Sequence, residues 1–406
     1  MGVNEVSGGF SKSGLSRLRE VMAAYVERGE VPGLVTVVSR HGEVVIDEIG
    51  TQTVGGPPAR ADTIFRISSL TKPITATAAM MCVEECKIRL DDPVDRLLPE
   101  LADRVVLKRL DGPLDDTVPA IRPITVRDLL TFTWGFGLVI APPDTFPIQR
   151  AQTDLRLGQG APAPAIPPEP DEWIRRLGTL PLMHQPGEGW MYSTGSDVLG
   201  VLIARATGQS FDAFLRERVF EPLGMSDTGF SVPTAKLGRL ATGYQDGASL
   251  GEFEVYDPAD ASQWGSPPAF PSGAGGLVST ARDYLTFGQM LANHGKYDGG
   301  RLLSRASVEI MTFDHLTPEQ KVASGPFAPY FENHGWGFGV SVSTRRDDIG
   351  EPVGRFGWNG GLGSVWYADP QQDLVTILLT GCAKFTLIPP PLYRDFWTLA
   401  SAAIDD

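Results

Sequence analysis

Cysteine and histidine are scarce in this sequence of 406 residues, which has three cysteines and five histidines. Three cysteines are too few, and odd in number, for a disulfide scaffold. Cys82 and Cys86 lie four positions apart in a helical pattern, but further metal ligands are not near them, so we expect these residues and Cys382 to pack in the core. The histidines also lack metal-ligand spacing. The sequence therefore predicts no metal site and implies no metal or organic cofactor.

Positive charge is in the minority, because 35 lysines and arginines stand against 49 aspartates and glutamates, for a net charge of −14. Such an acidic chain repels the phosphates of nucleic acids and anionic membrane surfaces. No apolar run approaches the roughly 18 residues of a membrane-spanning helix, and residues 1–10 lack the pattern of a secretory signal. We expect a cytoplasmic protein with neither nucleic acid nor membrane as partner, and the sequence leaves the oligomeric state open.

Hydrophobic patterning passes from strand to helix and back to strand along the chain. Runs at 33–40 and 43–47 flank a two-residue turn and predict a hairpin. The other predicted strands span residues 337–344, 363–368 and 373–380, and the predicted helices span residues 15–28, 69–86, 124–131, 198–220, 284–293 and 392–403. We therefore expect an α+β fold (an α/β sandwich), in which helices flank one antiparallel sheet formed from both termini.

The same pattern predicts two domains with a functional site between them. Residues 1–74 and 271–406 are expected to form the sheet domain, and residues 75–270 an inserted, mainly helical domain. Within the insertion, residues 142–170 contain eight prolines. This composition predicts a long irregular loop or lid without regular structure.

One short stretch combines a serine and a lysine in a way that suits nucleophilic catalysis. Ser69 and Lys72 are three positions apart at the start of a helix that is apolar on most sides, so both lie on one face of a buried helix. A serine hydroxyl needs a base to become a strong nucleophile, and a desolvated lysine has a lowered pKa that lets it accept the proton. The helix N-terminus also favours negative charge near Ser69.

Other interpretations of the serines stay open at this point. A Ser-x-x-Lys spacing also occurs by chance, as a helix cap followed by an exposed lysine. Ser249, within Gly247-Ala-Ser-Leu-Gly251, matches the Gly-x-Ser-x-Gly turn of α/β-hydrolases, but no helix pattern follows it as that turn requires. A Ser-His-Asp triad is a further alternative, because its members need not be adjacent in sequence.

Seven stretches, in order along the chain, are together similar to one group of enzymes. They are residues 65–72, 90–94, 125–131, 186–193, 220–228, 274–280 and 358–361. On these motifs the chain resembles the serine β-lactamase and penicillin-binding-protein superfamily, and most closely the family VIII carboxylesterases. The resemblance implies a β-lactamase/transpeptidase-like fold and acyl transfer through Ser69 and Lys72.

The resemblance also implies a role for a tyrosine. The family motif Tyr-x-Asn is matched by Tyr192-Ser193-Thr194, and its tyrosine shuttles the proton between nucleophile, lysine and leaving group. A phenol near an ammonium group loses its proton more easily, so either Lys72 or Tyr192 could be the base, and the two would titrate as a pair. Thr194 stands where the family has asparagine, which puts recognition of a substrate amide in doubt.

A third motif, Lys-Thr-Gly, is replaced here by Trp358-Asn359-Gly360. The lysine that helps to bind a substrate carboxylate is absent, and this change favours neutral esters over penicillins. The resemblance implies that the N–H groups of Ser69 and Gly361 form the oxyanion hole.

We therefore expect a serine carboxylesterase that acts on a small-molecule ester through an acyl-enzyme, without a cofactor. Phe132 and Trp134 are further candidates for an aromatic substrate pocket. The alternatives are a β-lactamase or D-alanyl peptidase, an acyltransferase with an alcohol acceptor, and a non-catalytic scaffold of the same fold.

Overall fold

The structure of the protein, a computed structural model, describes residues 5–6, 8–247, 251–386 and 388–405. Its strands are β1 (Glu5–Val6), β2 (Phe10–Ser11), β3 (Gly33–Arg40), β4 (Glu43–Gly50), β5 (Phe65–Arg66), β6 (Val105–Leu107), β7 (Thr117–Pro119), β8 (Gly243–Asp246), β9 (Phe253–Asp257), β10 (Val278–Ser279), β11 (Lys296–Tyr297), β12 (Gly300–Arg301), β13 (His334–Trp336), β14 (Ser341–Ser343), β15 (Phe356–Gly360), β16 (Ser364–Asp369) and β17 (Leu374–Thr380). Its α-helices are α1 (Lys12–Glu27), α2 (Thr71–Glu84), α3 (Val126–Thr131), α4 (Pro147–Asp154), α5 (Pro170–Gly178), α6 (Thr194–Thr207), α7 (Phe211–Leu215), α8 (Glu221–Leu223), α9 (Ala281–Ala292), α10 (Arg305–Met311), α11 (Pro318–Val322) and α12 (Pro391–Ala402).

A seven-stranded sheet at the centre joins the two ends of the chain. Its strand order is β13-β14-β15-β16-β17-β3-β4, and every neighbouring pair is antiparallel. The predicted antiparallel sheet formed from both termini is therefore confirmed. The predicted hairpin is confirmed as β3 and β4.

Alternate residues of the central strands belong to two different hydrophobic clusters. In β3, Val35 and Val37 belong to one cluster, whereas Leu34 and Val38 belong to the other, as the two-residue period of a strand requires. Helices α1 and α12 pack with the second cluster and helix α9 with the first. Both faces of the sheet are therefore covered by helices, which explains why every residue of β3 and β17 is buried.

Two predicted elements are interrupted by glycines with positive φ. Residues 198–220 do not form one helix, because α6 ends at Thr207 and Gly208 adopts a left-handed conformation with φ 68°. Residues 337–344 do not form one strand, because Gly339, with φ 72°, lies in the turn that separates β13 from β14.

The proline-rich segment 142–170 is not wholly irregular, so that prediction is wrong in part. Helix α4 lies within it and begins at Pro147. The first turn of a helix has backbone N–H groups without intrahelical partners, so a proline there loses no hydrogen bond.

The predicted division into a sheet domain and an inserted helical domain stays a prediction. The largest hydrophobic cluster contains sheet residues such as Val35 together with residues of the helical region such as Leu202. Among the described residues, no helix combines the length and apolar character needed to cross a membrane. That part of the chain also has no group of three or more His, Cys, Asp or Glu side chains able to hold a metal ion.

Candidate active site

Ser69 and Lys72 meet at the start of α2. Ser69 lies in a 3₁₀ turn, Ser68–Leu70, that leads directly into the helix. The three-residue spacing lets Lys72 Nζ donate a hydrogen bond to Ser69 Oγ at 2.9 Å and another to the Ala274 carbonyl at 2.7 Å. Ser69 is half-buried, so its hydroxyl remains accessible from a neighbouring cavity.

Burial changes the chemistry of Lys72. The residue is only 1% exposed because α2 is enclosed on nearly all sides. Burial lowers the pKa of Lys72 to about 7, while the nearby Asp197 carboxylate opposes part of this shift. A substantial neutral fraction of the amine is therefore present at neutral pH, as a general base requires.

Tyr192 contacts the same serine. Its Oη donates to Ser69 Oγ at 2.8 Å and accepts the indole N–H of Trp358 at 2.7 Å. Burial raises the pKa of Tyr192 to about 12, so the expectation that the lysine eases its ionisation is wrong. The physical reason is that burial disfavours the charged phenolate by more than its hydrogen bonds with Ser69 and Trp358 favour it. Lys72 Nζ lies over the face of the Tyr192 ring, 4.5 Å from its centroid.

Strand β15 brings Trp358, Asn359 and Gly360 to the edge of the site. Close approach of the strand to the turn before Ser69 requires glycine at position 360. A Cβ atom there would lie 2.5 Å from the Ile67 carbonyl oxygen. Ser364 Oγ, at the start of the neighbouring strand β16, donates to the same carbonyl at 2.7 Å.

The two backbone groups predicted for the oxyanion hole lie beside the same cavity. Ser69 is in the first turn of a helix, where backbone N–H groups have no intrahelical partner. The Gly361 N–H donates to none of the described residues, whereas its carbonyl accepts from the Lys384 N–H at 2.8 Å. That these two N–H groups form an oxyanion hole stays a prediction.

A cavity of about 490 Å³ opens beside Ser69. Its aromatic wall consists of Tyr192, Phe327, Tyr330, Trp358 and Phe385. None of the five histidines lines it, so a histidine base is not available to Ser69 in this cavity.

Phe132 and Trp134 do not line the cavity, so their predicted place in the substrate pocket is wrong. Both are fully buried. Phe132 packs behind the site, with its ring centroid 6.1 Å from that of Tyr192. Both side chains pack in the core, as aromatic residues more often do. Phe132 packs against the ring of Tyr192, which lines the cavity.

Two residues at the site were missed from the sequence. Asp197, on α6, lines the cavity and accepts hydrogen bonds from Ser272 Oγ at 2.6 Å and the Ala274 N–H at 3.1 Å. Burial raises the pKa of this carboxyl group. An acidic residue directly before the apolar run of α6 was the available signal. Gln159 also lines the cavity, and Thr194 Oγ1 donates to its Oε1 at 3.0 Å.

Ser249, the alternative nucleophile, lies outside the described residues. The residues that the structure brings together are therefore Ser69, Lys72 and Tyr192, with Trp358 hydrogen-bonded to the tyrosine.

Comparison with known proteins shows which family this chain is similar to. The beta-lactamase family model matches residues 18–385. Protein Rv1367c of Mycobacterium tuberculosis is 41% identical over 372 residues, which cover 89% of this chain and 88% of that protein. Esterase EstB of Burkholderia gladioli is 32% identical over 389 residues, covering 91% and 90% of the two chains.

A solved structure extends the likeness to the whole fold. The structure titled EstCE1, a hydrolase with promiscuous acyltransferase activity, superposes with a TM-score of 0.77 at 25% identity, covering 97% of this chain and 99% of that chain. The predicted β-lactamase/transpeptidase-like fold and the resemblance to family VIII esterases are confirmed. This chain belongs to the beta-lactamase family, among its serine hydrolases and acyltransferases and close to the family VIII esterases.

Proposed function

We propose that this enzyme is a carboxylesterase that cleaves uncharged esters through an acyl-enzyme on Ser69. One observation carries the proposal: the half-buried Ser69 hydroxyl, in the wall of a cavity, lies 2.9 Å from an amine and 2.8 Å from a phenol. A nucleophile, a base and a proton donor within hydrogen-bonding reach are the groups that acyl transfer needs.

Acylation begins with the neutral form of Lys72, which takes the proton from Ser69 Oγ. The oxygen attacks the ester carbonyl, and the N–H groups of Ser69 and Gly361 donate to the resulting oxyanion. The bond from the carbonyl carbon to the alcohol oxygen then breaks, and Tyr192 Oη gives its proton to the leaving alkoxide. A water molecule then carries a proton from the Lys72 ammonium to the phenolate, which restores both groups.

The raised pKa of Tyr192 supports the role of acid for its phenol, and the lowered pKa of Lys72 supports the role of base for its amine. In deacylation, a water molecule attacks the acyl group and gives its proton to the neutral amine of Lys72. The bond to Ser69 Oγ breaks, and the serine oxygen takes a proton back from the lysine. The carboxylic acid leaves and the starting protonation states return.

The charges in the cavity wall favour neutral substrates. Trp358 stands where the family motif has its carboxylate-binding lysine. The cationic side chains of the wall are Lys72, which contacts the nucleophile, and Lys384, which pairs with Asp246 at 2.8 Å. A penicillin or D-alanyl peptide carboxylate would therefore meet no free cation in the described part of the wall.

Transfer of the acyl group to an alcohol is a second candidate activity. It is favoured by the likeness to EstCE1, whose title names promiscuous acyltransferase activity. Product analysis with an added acceptor alcohol measures it, because transfer yields a new ester and hydrolysis yields only the acid.

A fluorophosphonate probe and p-nitrophenyl butyrate test the proposal. We expect covalent labelling and hydrolysis in the native protein, and loss of both in Ser69→Ala. Ser249→Ala is the matched control and should keep both. Labelling that survives in Ser69→Ala, or faster turnover of a chromogenic cephalosporin than of the butyrate, would contradict the proposal.

A further inference from the structure

A side-chain amide lines the cavity with its donor end unpaired. Thr194, two positions after Tyr192, has its hydroxyl bound to Gln159 Oε1 at 3.0 Å. Gln159 Nε2 donates to none of the described residues, and Gln159 is part of the cavity wall. Oε1 accepts the bond from Thr194, whereas the N–H₂ group has no partner among the described residues and so remains able to donate.

The segment that carries Gln159 is held at both ends. Before it, Trp173 Nε1 donates to the Leu157 carbonyl at 3.1 Å. After it, Tyr256 Oη donates to the Pro162 carbonyl. A donor fixed in this way loses little conformational freedom when a ligand binds.

Pro162 also packs close to the backbone beside the nucleophile. A Cβ atom on Gly275 would lie 3.1 Å from Pro162 Cγ, and both residues line the cavity. The segment therefore forms a packed wall of the cavity in which Gln159 is the residue that offers a side-chain amide.

We propose that Gln159 binds substrate by donating its side-chain N–H to an oxygen that the substrate carries in addition to its ester group, and that Thr194 positions this amide. The substrate class is an ester with an ether, hydroxyl or carbonyl oxygen in its acyl or alcohol part. A site built around a donor discriminates against analogues without the acceptor, because they leave the donor unpaired. The inference rests on the proposed esterase activity.

Two pairs of esters test this inference, each pair differing by one oxygen in place of one methylene. The acyl pair is p-nitrophenyl 3-methoxypropanoate and p-nitrophenyl pentanoate, and the alcohol pair is 2-methoxyethyl butyrate and butyl butyrate. The measured quantity is the kcat/KM ratio of ether to methylene ester. An unfolded fraction lowers both rates equally, so it leaves the ratio unchanged.

We expect Gln159→Met and Thr194→Val each to lower this ratio by about three- to tenfold in one of the two pairs. The pair whose ratio falls shows whether Gln159 contacts the acyl part or the alcohol part of the substrate. Thr145→Val, an exposed change in the same proline-rich segment, is the control and should leave both ratios as in the native protein.

Unchanged ratios in both pairs for Gln159→Met, with the native protein still hydrolysing all four esters, would overturn the inference and leave the esterase proposal standing. A native protein that hydrolyses none of the four would overturn the esterase proposal, and this inference with it.

Discussion

Replacing Trp358 by phenylalanine removes one hydrogen-bond donor and keeps an aromatic ring in the cavity wall. The indole N–H donates to Tyr192 Oη at 2.7 Å, and Tyr192 Oη donates to Ser69 Oγ at 2.8 Å. In the proposed mechanism the phenol gives its proton to the leaving alkoxide. Negative charge then develops on Oη, and the bond from Trp358 becomes stronger at that moment.

The expected size of the effect follows from this change in charge. A hydrogen bond between neutral groups contributes about 0.5–1.5 kcal/mol, and one to a charged group about 1.5–3 kcal/mol. The difference, about 1–1.5 kcal/mol, acts only in the transition state and so affects kcat. We expect kcat of Trp358→Phe on butyl butyrate to fall about five- to tenfold, with little change in KM.

The leaving group provides the decisive comparison. An alkoxide needs a proton as it leaves, whereas p-nitrophenolate departs without one, so the loss should be much smaller on p-nitrophenyl butyrate. Trp134→Phe is the matched control, because Trp134 is fully buried, does not line the cavity, and has no hydrogen-bond partner for its indole nitrogen among the residues that the structure describes. Equal losses on both esters in Trp358→Phe would refute the reasoning.

Three further predictions concern the base and its surroundings. The kcat/KM of the native protein should rise with pH through about 7, because only neutral Lys72 accepts the serine proton. A base of this pKa titrates roughly between pH 5.5 and 8.5, so a kcat/KM independent of pH over that range would argue against a lysine base. Asp197→Asn removes the charge that opposes the lowering of the Lys72 pKa, so the acid limb of the pH profile should move to lower pH; movement to higher pH would contradict this assignment. Gly360→Ala should destabilise the fold by about 1–3 kcal/mol in urea unfolding, because its Cβ would press on the Ile67 carbonyl; native stability would show that the strand can move.

The sequence was sufficient to predict the central sheet and the meeting of Ser69, Lys72 and Tyr192. The sheet could be predicted because β3 and β17 are short runs rich in apolar and β-branched residues, a local pattern that can be recognised in the sequence alone. Ser69 and Lys72 are joined by helix geometry, which fixes their separation. Tyr192 was found through its motif, since helix or strand geometry does not link it to residue 69.

The wall of the cavity could not be predicted in the same way. Phe132 and Trp134 have the composition of a pocket, but Phe132 is buried against aromatic residues that are distant in sequence, Trp190 and Trp336. The pKa of Tyr192 depends on the competition between burial and the hydrogen bonds with Ser69 and Trp358, and both are tertiary properties. Gln159 lies in a segment without helical or strand periodicity, so the sequence pattern could not predict its hydrogen bond with Thr194.

The pairing of β17 with β3 has a consequence for synthesis on the ribosome. Thr380 Oγ1 donates to the Gly33 carbonyl at 2.7 Å, and these residues are 347 positions apart. When the hairpin of β3 and β4 leaves the exit tunnel of the ribosome, one edge of the apolar strand β3 has no strand to pair with until β17 has been made. Contacts of such long range are slow to form, so we expect the nascent chain to need protection from aggregation until translation has passed residue 380.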